Sequence, residues 1–129
     1  MKRVLYKNKH YTIEVDQEKN RLIVRPLGFW RSEKVVPKYL NRVKKTIDKK
    51  LSGGFMVILD ISNMLTHPKE VQEKVHFPGL LIAAERKPKA FVFVRPKDAI
   101  SAMQANALIK KMGARIKSFT SVYDSDHPN

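Results

Sequence analysis

Four side chains close together in the sequence could perform acid–base and nucleophilic chemistry: Asp60, Ser62, Thr66 and His67. They offer a carboxylate, two hydroxyls and an imidazole, which are the groups of a nucleophilic relay. Such a relay needs its nucleophile and base within about 3 Å and a third group that orients the base, and proximity in sequence provides neither. The pattern therefore favours turn and interaction roles for these residues, and we predict no catalytic residue.

The histidines and glycines do not form a recognisable metal or phosphate site. The four histidines show no spacing of a known metal motif, and the chain has no cysteine to supply a thiolate ligand. The double glycine Gly53-Gly54 precedes an apolar run, whereas phosphate-binding loops follow a strand. The sequence therefore predicts no metal and no cofactor.

Two short apolar runs must position these polar residues. Phe55–Ser62 and Ala90–Val94 are typical of buried parallel strands, and polar side chains follow each of them. Because parallel strands present their carboxyl ends at one edge of a sheet, we expect these side chains to share that edge. The predicted partner-binding rim consists of Asp60, Ser62, Asn63, Thr66, His67, Arg95 and Lys97.

A hairpin and a first helix precede these strands. The segments 10–15 and 21–28 alternate around a polar turn, which predicts two antiparallel strands. Ser32 is expected to cap a helix that ends before Gly53-Gly54. Trp30 is interpreted as a core residue packed against that helix, and the Phe29-Trp30-Arg31 trio is the alternative contact site. The apolar face of the helix is Val36, Leu40, Val43, Ile47 and Leu51.

Two further helices follow. We expect Thr66 or His67 to cap the second, with Val71 and Val75 on its buried side. Pro78 should either divide this helix into two or kink it. Asp98 is expected to cap the third, Ala99–Met112, with Ile100, Met103, Ala107 and Leu108 facing inward. A strand at 116–123 and a frayed tail at 124–129 complete the chain.

The predicted order is β-β-α-β-α-β-α-β, in one domain that spans residues 1–129. Strand-helix-strand crossovers require a mainly parallel sheet with helices packed on it, so the fold class is α/β. This order, with a strand that ends in Asp60-Ile-Ser62, resembles the STAS domain of bacterial anti-sigma-factor antagonists and its SpoIIAA-like relatives.

The resemblance implies a non-enzymatic regulatory module whose partner is an anti-sigma or kinase-like protein. In the antagonists the Asp-x-Ser signature leads into a Ser-Ser-Gly phosphorylation motif, which the segment 63–70 lacks. Thr66 or Ser62 is then the candidate phosphosite, because a helix start stabilises added negative charge.

The charge of the chain supports a second interpretation. Its 26 lysines and arginines exceed its 12 acidic residues by 14, and such an excess attracts nucleic acids and other polyanions without selecting among them. The first helix gathers cations opposite its apolar side, and Lys2, Arg3, Lys7 and Lys9 could extend that surface. The predicted polyanion face consists of Lys34, Lys38, Arg42, Lys45 and Lys49.

Location and ligands are the remaining expectations. No apolar stretch approaches the length of a membrane span and the first residues lack the apolar core of a signal peptide, so we expect a cytoplasmic protein. A small apolar ligand or lipid under the helix at 77–84 is the weakest alternative. The oligomeric state is not predicted.

Overall fold

The computed structural model of the protein describes residues 2–94, 99–112 and 121–123. Over this part of the chain the protein has an α/β fold built on one mixed sheet of six strands, which lie side by side in sequence order. The strands are β1 (Lys2–Lys7), β2 (Tyr11–Asp16), β3 (Arg21–Pro26), β4 (Met56–Asp60), β5 (Ala90–Val94) and β6 (Ser121–Tyr123).

The sheet changes direction at its middle. β1, β2 and β3 pair antiparallel, while β4, β5 and β6 continue parallel to β3. The predicted hairpin is confirmed as β2 and β3, and the two apolar runs are confirmed as β4 and β5. β1 was not predicted: it is an exposed edge strand that carries Lys2, Arg3 and Lys7, and such charged side chains hide the strand pattern while they protect the edge from further pairing.

The first helix begins later than predicted. Ser32 does act as a cap, but of a short 3-10 helix (Glu33–Val35), where its hydroxyl accepts from the Lys34 amide at 3.2 Å. Pro37 then disfavours helical backbone at the residue before it, so α1 spans only Tyr39–Lys50. Lys38 is its first flanking residue and makes no side-chain cap.

The second helical region is continuous from residue 69 to 85. It consists of α2 (Lys69–Val71), a π-helix (Gln72–His76) and α3 (Phe77–Glu85). The Phe77 amide donates to the Gln72 carbonyl five residues back, and this wider turn comes directly before Pro78, which has no amide hydrogen to donate. The prediction was two short helices or one helix kinked at Pro78. The structure is closer to one helix, although its irregular turn comes before the proline.

α4 spans Ala99–Met112, as predicted, but its inward face is different. Ile100, Met103 and Ala107 are exposed, so their predicted burial is wrong, while Gln104 and Ile109 are partly buried. The side chain of Leu108, the proposed cap Asp98, the segment 116–120 and the tail 124–129 lie outside the described residues. None of the described helices is long and apolar enough to cross a membrane.

The main core lies between one face of the sheet and the helices. α1 contributes Tyr39, Val43 and Ile47, and the later helices contribute Val71, Val75 and Leu80, all buried against alternate residues of β2 to β5. The opposite face carries a smaller apolar cluster: Ile23, Ile58, Val92 and Val94. The segment between β4 and α2 and the segment after β3 meet at the carboxyl end of these strands.

Candidate functional site

Two segments pair at the carboxyl end of the parallel strands. One is the strap, which we define as residues 63–68, and the other is the 27–30 segment. Gly28 forms a parallel bridge with Met64: its amide donates to the Asn63 carbonyl at 2.9 Å, and its carbonyl accepts from the Leu65 amide at 3.0 Å. Gly28 has a φ of +63°, a conformation that costs other residues free energy. The glycine therefore allows the turn that brings the two segments together.

A pair of buried histidines lies under the strap. His67 Nδ1 and His76 Nε2 are 2.7 Å apart, and His67 Nε2 is 2.9 Å from the Gly28 carbonyl oxygen. A carbonyl oxygen only accepts, so His67 Nε2 must carry the hydrogen and His67 Nδ1 must be bare. His76 Nε2 is then the donor to His67. The hydrogen bonds thus fix both tautomers and connect the π-helix to the 27–30 segment.

Trp30 supports the pair from one side. Its ring lies 5.1 Å from the ring of His67 and 4.9 Å from that of His76, close to parallel with each. The indole nitrogen donates to the carbonyls of His10 and Leu27, and the side chain is completely buried. Edge contacts with Tyr11 and Tyr39 link Trp30 to β2 and α1, which confirms its predicted role in the core.

Two glutamines hold the backbone of His67. Gln104 accepts from the His67 amide at 3.0 Å and donates to the His67 carbonyl at 2.8 Å. Gln72 donates to the same carbonyl at 3.1 Å. The π-helix and α4 therefore both fasten the strap at one residue, and sequence reasoning assigned no role to either glutamine.

Burial keeps the histidine pair neutral. Burial, with a smaller contribution from the adjacent His67, lowers the pKa of His76 from 6.5 to about 3. Burial also lowers the pKa of His67, although its hydrogen bond to the Gly28 carbonyl acts in the opposite direction. Both effects follow from the cost of placing a charge away from water.

Asp60 and Ser62 form a turn at the end of β4. Asp60 Oδ1 accepts from the Ser62 amide at 3.1 Å and from the Ser62 hydroxyl at 2.6 Å. The other carboxylate oxygen lies 3.2 Å from Arg25 Nε, and Arg25 also pairs with Glu14 at 2.6 Å. Asp60 and Ser62 thus have the turn role that their residue types predict.

The acid, hydroxyls and base predicted from sequence are not arranged as a relay. Ser62 donates to Asp60, whereas both ring nitrogens of His67 are engaged by Gly28 and His76. The helix also begins at Lys69, with Pro68 before it and no side-chain cap, so the prediction that Thr66 or His67 caps it is wrong. Proline before the first turn sets the helix start without a side-chain acceptor.

The segments that meet at His67 carry exposed apolar side chains. Phe29, which contacts the His67 ring edge-on, is 52% exposed, and Leu65 of the strap is 55% exposed. On α4, Ile100 is 62% exposed and lies one helical turn before Gln104, and Met103 is 70% exposed and directly precedes Gln104. We call these four residues the apolar corner. Sequence patterns missed it because Ile100 and Met103 fit a core-facing helix equally well.

The other predicted rim and cationic residues have different positions. Asn63 is exposed and Thr66 is half-buried, while Arg95 and Lys97 lie outside the described residues. Arg42 is only partly exposed: it donates to the Tyr11 hydroxyl at 3.0 Å and lies 4.5 Å from the centre of the Tyr6 ring. The exposed members of the predicted polyanion face are Lys34, Lys38, Lys45 and Lys49.

The space beneath α3 is small. A cavity there is lined by apolar side chains of the sheet and by His76, Tyr39 and Gly79. The centre of a water molecule can occupy only about 20 Å³ of it. That is room for about one water, not for a lipid or another small apolar ligand. Across the described residues, no three histidine, aspartate or glutamate side chains are grouped as metal ligands would be.

Comparison with known proteins gives no match: neither a family model, nor a curated protein, nor a solved structure is similar to this chain.

Proposed function

We propose that this protein is a non-enzymatic regulatory module of the STAS or SpoIIAA-like kind, which binds a partner protein at the apolar corner. The observation that carries the proposal is the contrast within one site. Asp60 bonds to Ser62 and His67 bonds to His76, whereas four apolar side chains are more than half exposed: Phe29, Leu65, Ile100 and Met103. Exposed apolar side chains on segments that meet at one residue favour a protein interface there.

The partner that fits this surface is an acidic protein. The chain carries a formal charge of +14, and exposed Arg31 lies two residues from Phe29. Cations beside an apolar centre speed association with an acidic surface and disfavour basic partners. Docking on this corner therefore combines apolar anchoring with charge complementarity.

Binding through this corner does not require a phosphoryl switch. A phosphate on Ser62 would lie against the Asp60 carboxylate, which accepts from that hydroxyl at 2.6 Å, and like charges at this distance repel. Thr66 lies three residues before the helix start, where the field of a helix terminus is weak. We therefore place specificity in the shape and charge of the corner.

Capture of the partner with matched variants tests the proposal. Tagged wild-type protein, Leu65→Ser and Val4→Ser are used to recover proteins from a lysate of the source cells, after nuclease treatment. Val4 is 49% exposed on β1, far along the sheet from the strap, and therefore controls for the loss of an exposed apolar side chain. We expect one discrete acidic protein with wild type and Val4→Ser, and at least tenfold less of it with Leu65→Ser. Equal recovery with all three would contradict the proposal.

Polyanion binding is a second candidate function. It is supported by the exposure of Lys34, Lys38, Lys45 and Lys49, which lie on or just before α1. The Lys45→Glu and Lys49→Glu double variant should weaken nucleic-acid binding and reduce its salt dependence, whereas the Lys19→Glu and Lys69→Glu control should retain more of both. Equal binding by the two double variants would remove α1 as the interface.

A further inference from the structure

The hydrogen bonds of the neutral histidine pair allow only one placement of the ring hydrogens. In the chain from His76 to His67 to Gly28, each ring Nε2 donates and each acceptor is already occupied. A first added proton can enter only at His76 Nδ1, where the bond to His67 survives. A second must enter at His67 Nδ1, and would place two N–H donors 2.7 Å apart. Double protonation is therefore incompatible with the His67–His76 hydrogen bond.

The surroundings do not compensate positive charge on the pair. Among the described residues, the ring and hydrogen-bond partners of the pair are uncharged: Gly28, Phe29, Trp30, Gln72 and Gln104. From α1 the titratable neighbour is Tyr39, whose pKa is raised by burial, and β3 and β4 offer only apolar side chains to the cavity at His76. On the π-helix, Glu73 and Lys74 are exposed. Within the described part of the chain, an added charge on the pair therefore has no buried partner of opposite sign.

We propose that the His67–His76 pair is a proton-operated latch, which holds the strap against the 27–30 segment when neutral and releases it when both imidazoles are protonated by solvent. Release breaks the bond between the two rings, and the repulsion between two imidazolium ions moves His67 and its strap outward. Separation from the 27–30 segment breaks only the two backbone hydrogen bonds of the Gly28–Met64 bridge, while Gln72 and Gln104 keep the strap attached to the π-helix and α4.

Release of the strap would change the docking surface. Leu65 is on the strap and Phe29 is on the segment from which it separates, so the apolar corner loses its fixed shape. Acidification should therefore weaken partner binding. This consequence rests on the proposed docking function, whereas the latch itself is a property of the isolated protein.

The size of the effect follows from proton binding. A histidine that has its ordinary pKa near 6.5 when released, and that stays neutral while its hydrogen bond in the latch is intact, favours release about tenfold more at pH 5.5 than at pH 7.5. Two such histidines together give about a hundredfold. The amides of Gly28 and Leu65, which bond across the two segments, report on this opening. The amide of Ile58 in the centre of the sheet reports on unfolding of the whole protein.

The test is hydrogen exchange at single residues by NMR, expressed as protection factors, at pH 7.5 and 5.5. The variants His76→Gln and His67→Gln keep a nitrogen donor in the position of Nε2 but do not titrate. His10→Gln is the control: its backbone carbonyl still accepts from Trp30, and its side chain is outside the pair. We expect the Gly28 and Leu65 protection factors to fall about a hundredfold in wild type and His10→Gln, and about tenfold in each of the other two.

Three results would overturn the latch. They are a fall of less than threefold in wild type, a fall that His76→Gln does not reduce, and protection factors at pH 5.5 that are equal for Leu65 and Ile58, which would mean global unfolding. If the glutamine variants do not fold, the test is the nitrogen-15 chemical shifts of the imidazole rings in the wild-type protein. At pH 7.5 these shifts must show a hydrogen on Nε2 of both His67 and His76. The opposite tautomer on His67 would also refute the proposal. Because no partner is present, a failure here leaves the docking function standing.

Discussion

Replacement of Gln104 by methionine tests the idea that one amide group fastens the strap to α4. Gln104 both accepts from and donates to the backbone of His67, at 3.0 and 2.8 Å. Methionine has a similar volume and no hydrogen-bonding amide, so Gln104→Met removes the bonds with little change in packing. The His67 carbonyl keeps its bond from Gln72, whereas the amide of His67 loses its acceptor.

The expected cost is that of one unsatisfied, partly buried donor, about 1–2 kcal/mol in the free energy of unfolding. Urea unfolding followed by the fluorescence of Trp30, the single tryptophan of the chain, measures it. The control is Gln17→Met, whose side chain donates to the Lys50 carbonyl at an exposed position and should cost less than about 0.5 kcal/mol. If the two variants lose the same free energy, Gln104 does not fasten the strap.

Three further predictions concern stability. The pKa of His76 is about 3 in the folded protein and near 6.5 in the unfolded chain, so below pH 6.5 the unfolded chain binds a proton that the folded protein does not. The contribution of His76 to the free energy of unfolding should therefore be fully present above pH 6.5 and fall by up to about 1.4 kcal/mol per pH unit towards pH 3. Urea titrations at several pH values would measure this fall. Gly28→Ala should cost about 1–2 kcal/mol through its φ of +63° alone, because no atom lies within 4 Å of the added carbon, and a thermal melt with no shift would contradict this. Arg86→Met removes a bidentate, partly exposed pair with Asp48 and a hydrogen bond to the Ile82 carbonyl, and should cost less than about 2 kcal/mol; a larger loss in a thermal melt would show that these contacts contribute more than surface interactions do.

Local sequence patterns were sufficient where burial and turn chemistry decide the structure. The apolar runs at β4 and β5 and the polar turn between β2 and β3 appear as predicted. The patterns were insufficient where a single residue competes with them. Pro37 delays α1 although the apolar spacing begins at Val36, and the charges of β1 conceal an edge strand.

The candidate site was predicted only in part. The turn at Asp60 and Ser62 follows from local chemistry, and the strap was expected at the correct edge of the sheet. The contact between His67 and Gln104 joins residues 37 positions apart, and only the packing of α4 decides which of its faces turns inward. The sequence did contain one signal for this contact: Gln104 lies between Met103 and Ala107 of the predicted inward face of α4. A buried polar side chain requires a hydrogen-bond partner, so Gln104 could have been expected to contact another segment.

The apolar corner is the central claim, and photo-crosslinking from within it is the most direct test. A benzophenone amino acid is placed at Leu65, and in a matched protein at Lys45 on the cationic side of α1, both of which are exposed. After irradiation in the source cells, we predict that the probe at position 65 joins one discrete acidic protein and the probe at position 45 does not. Crosslinks to nucleic acid from position 45, with no protein crosslinked from position 65, would contradict the docking function and favour polyanion binding.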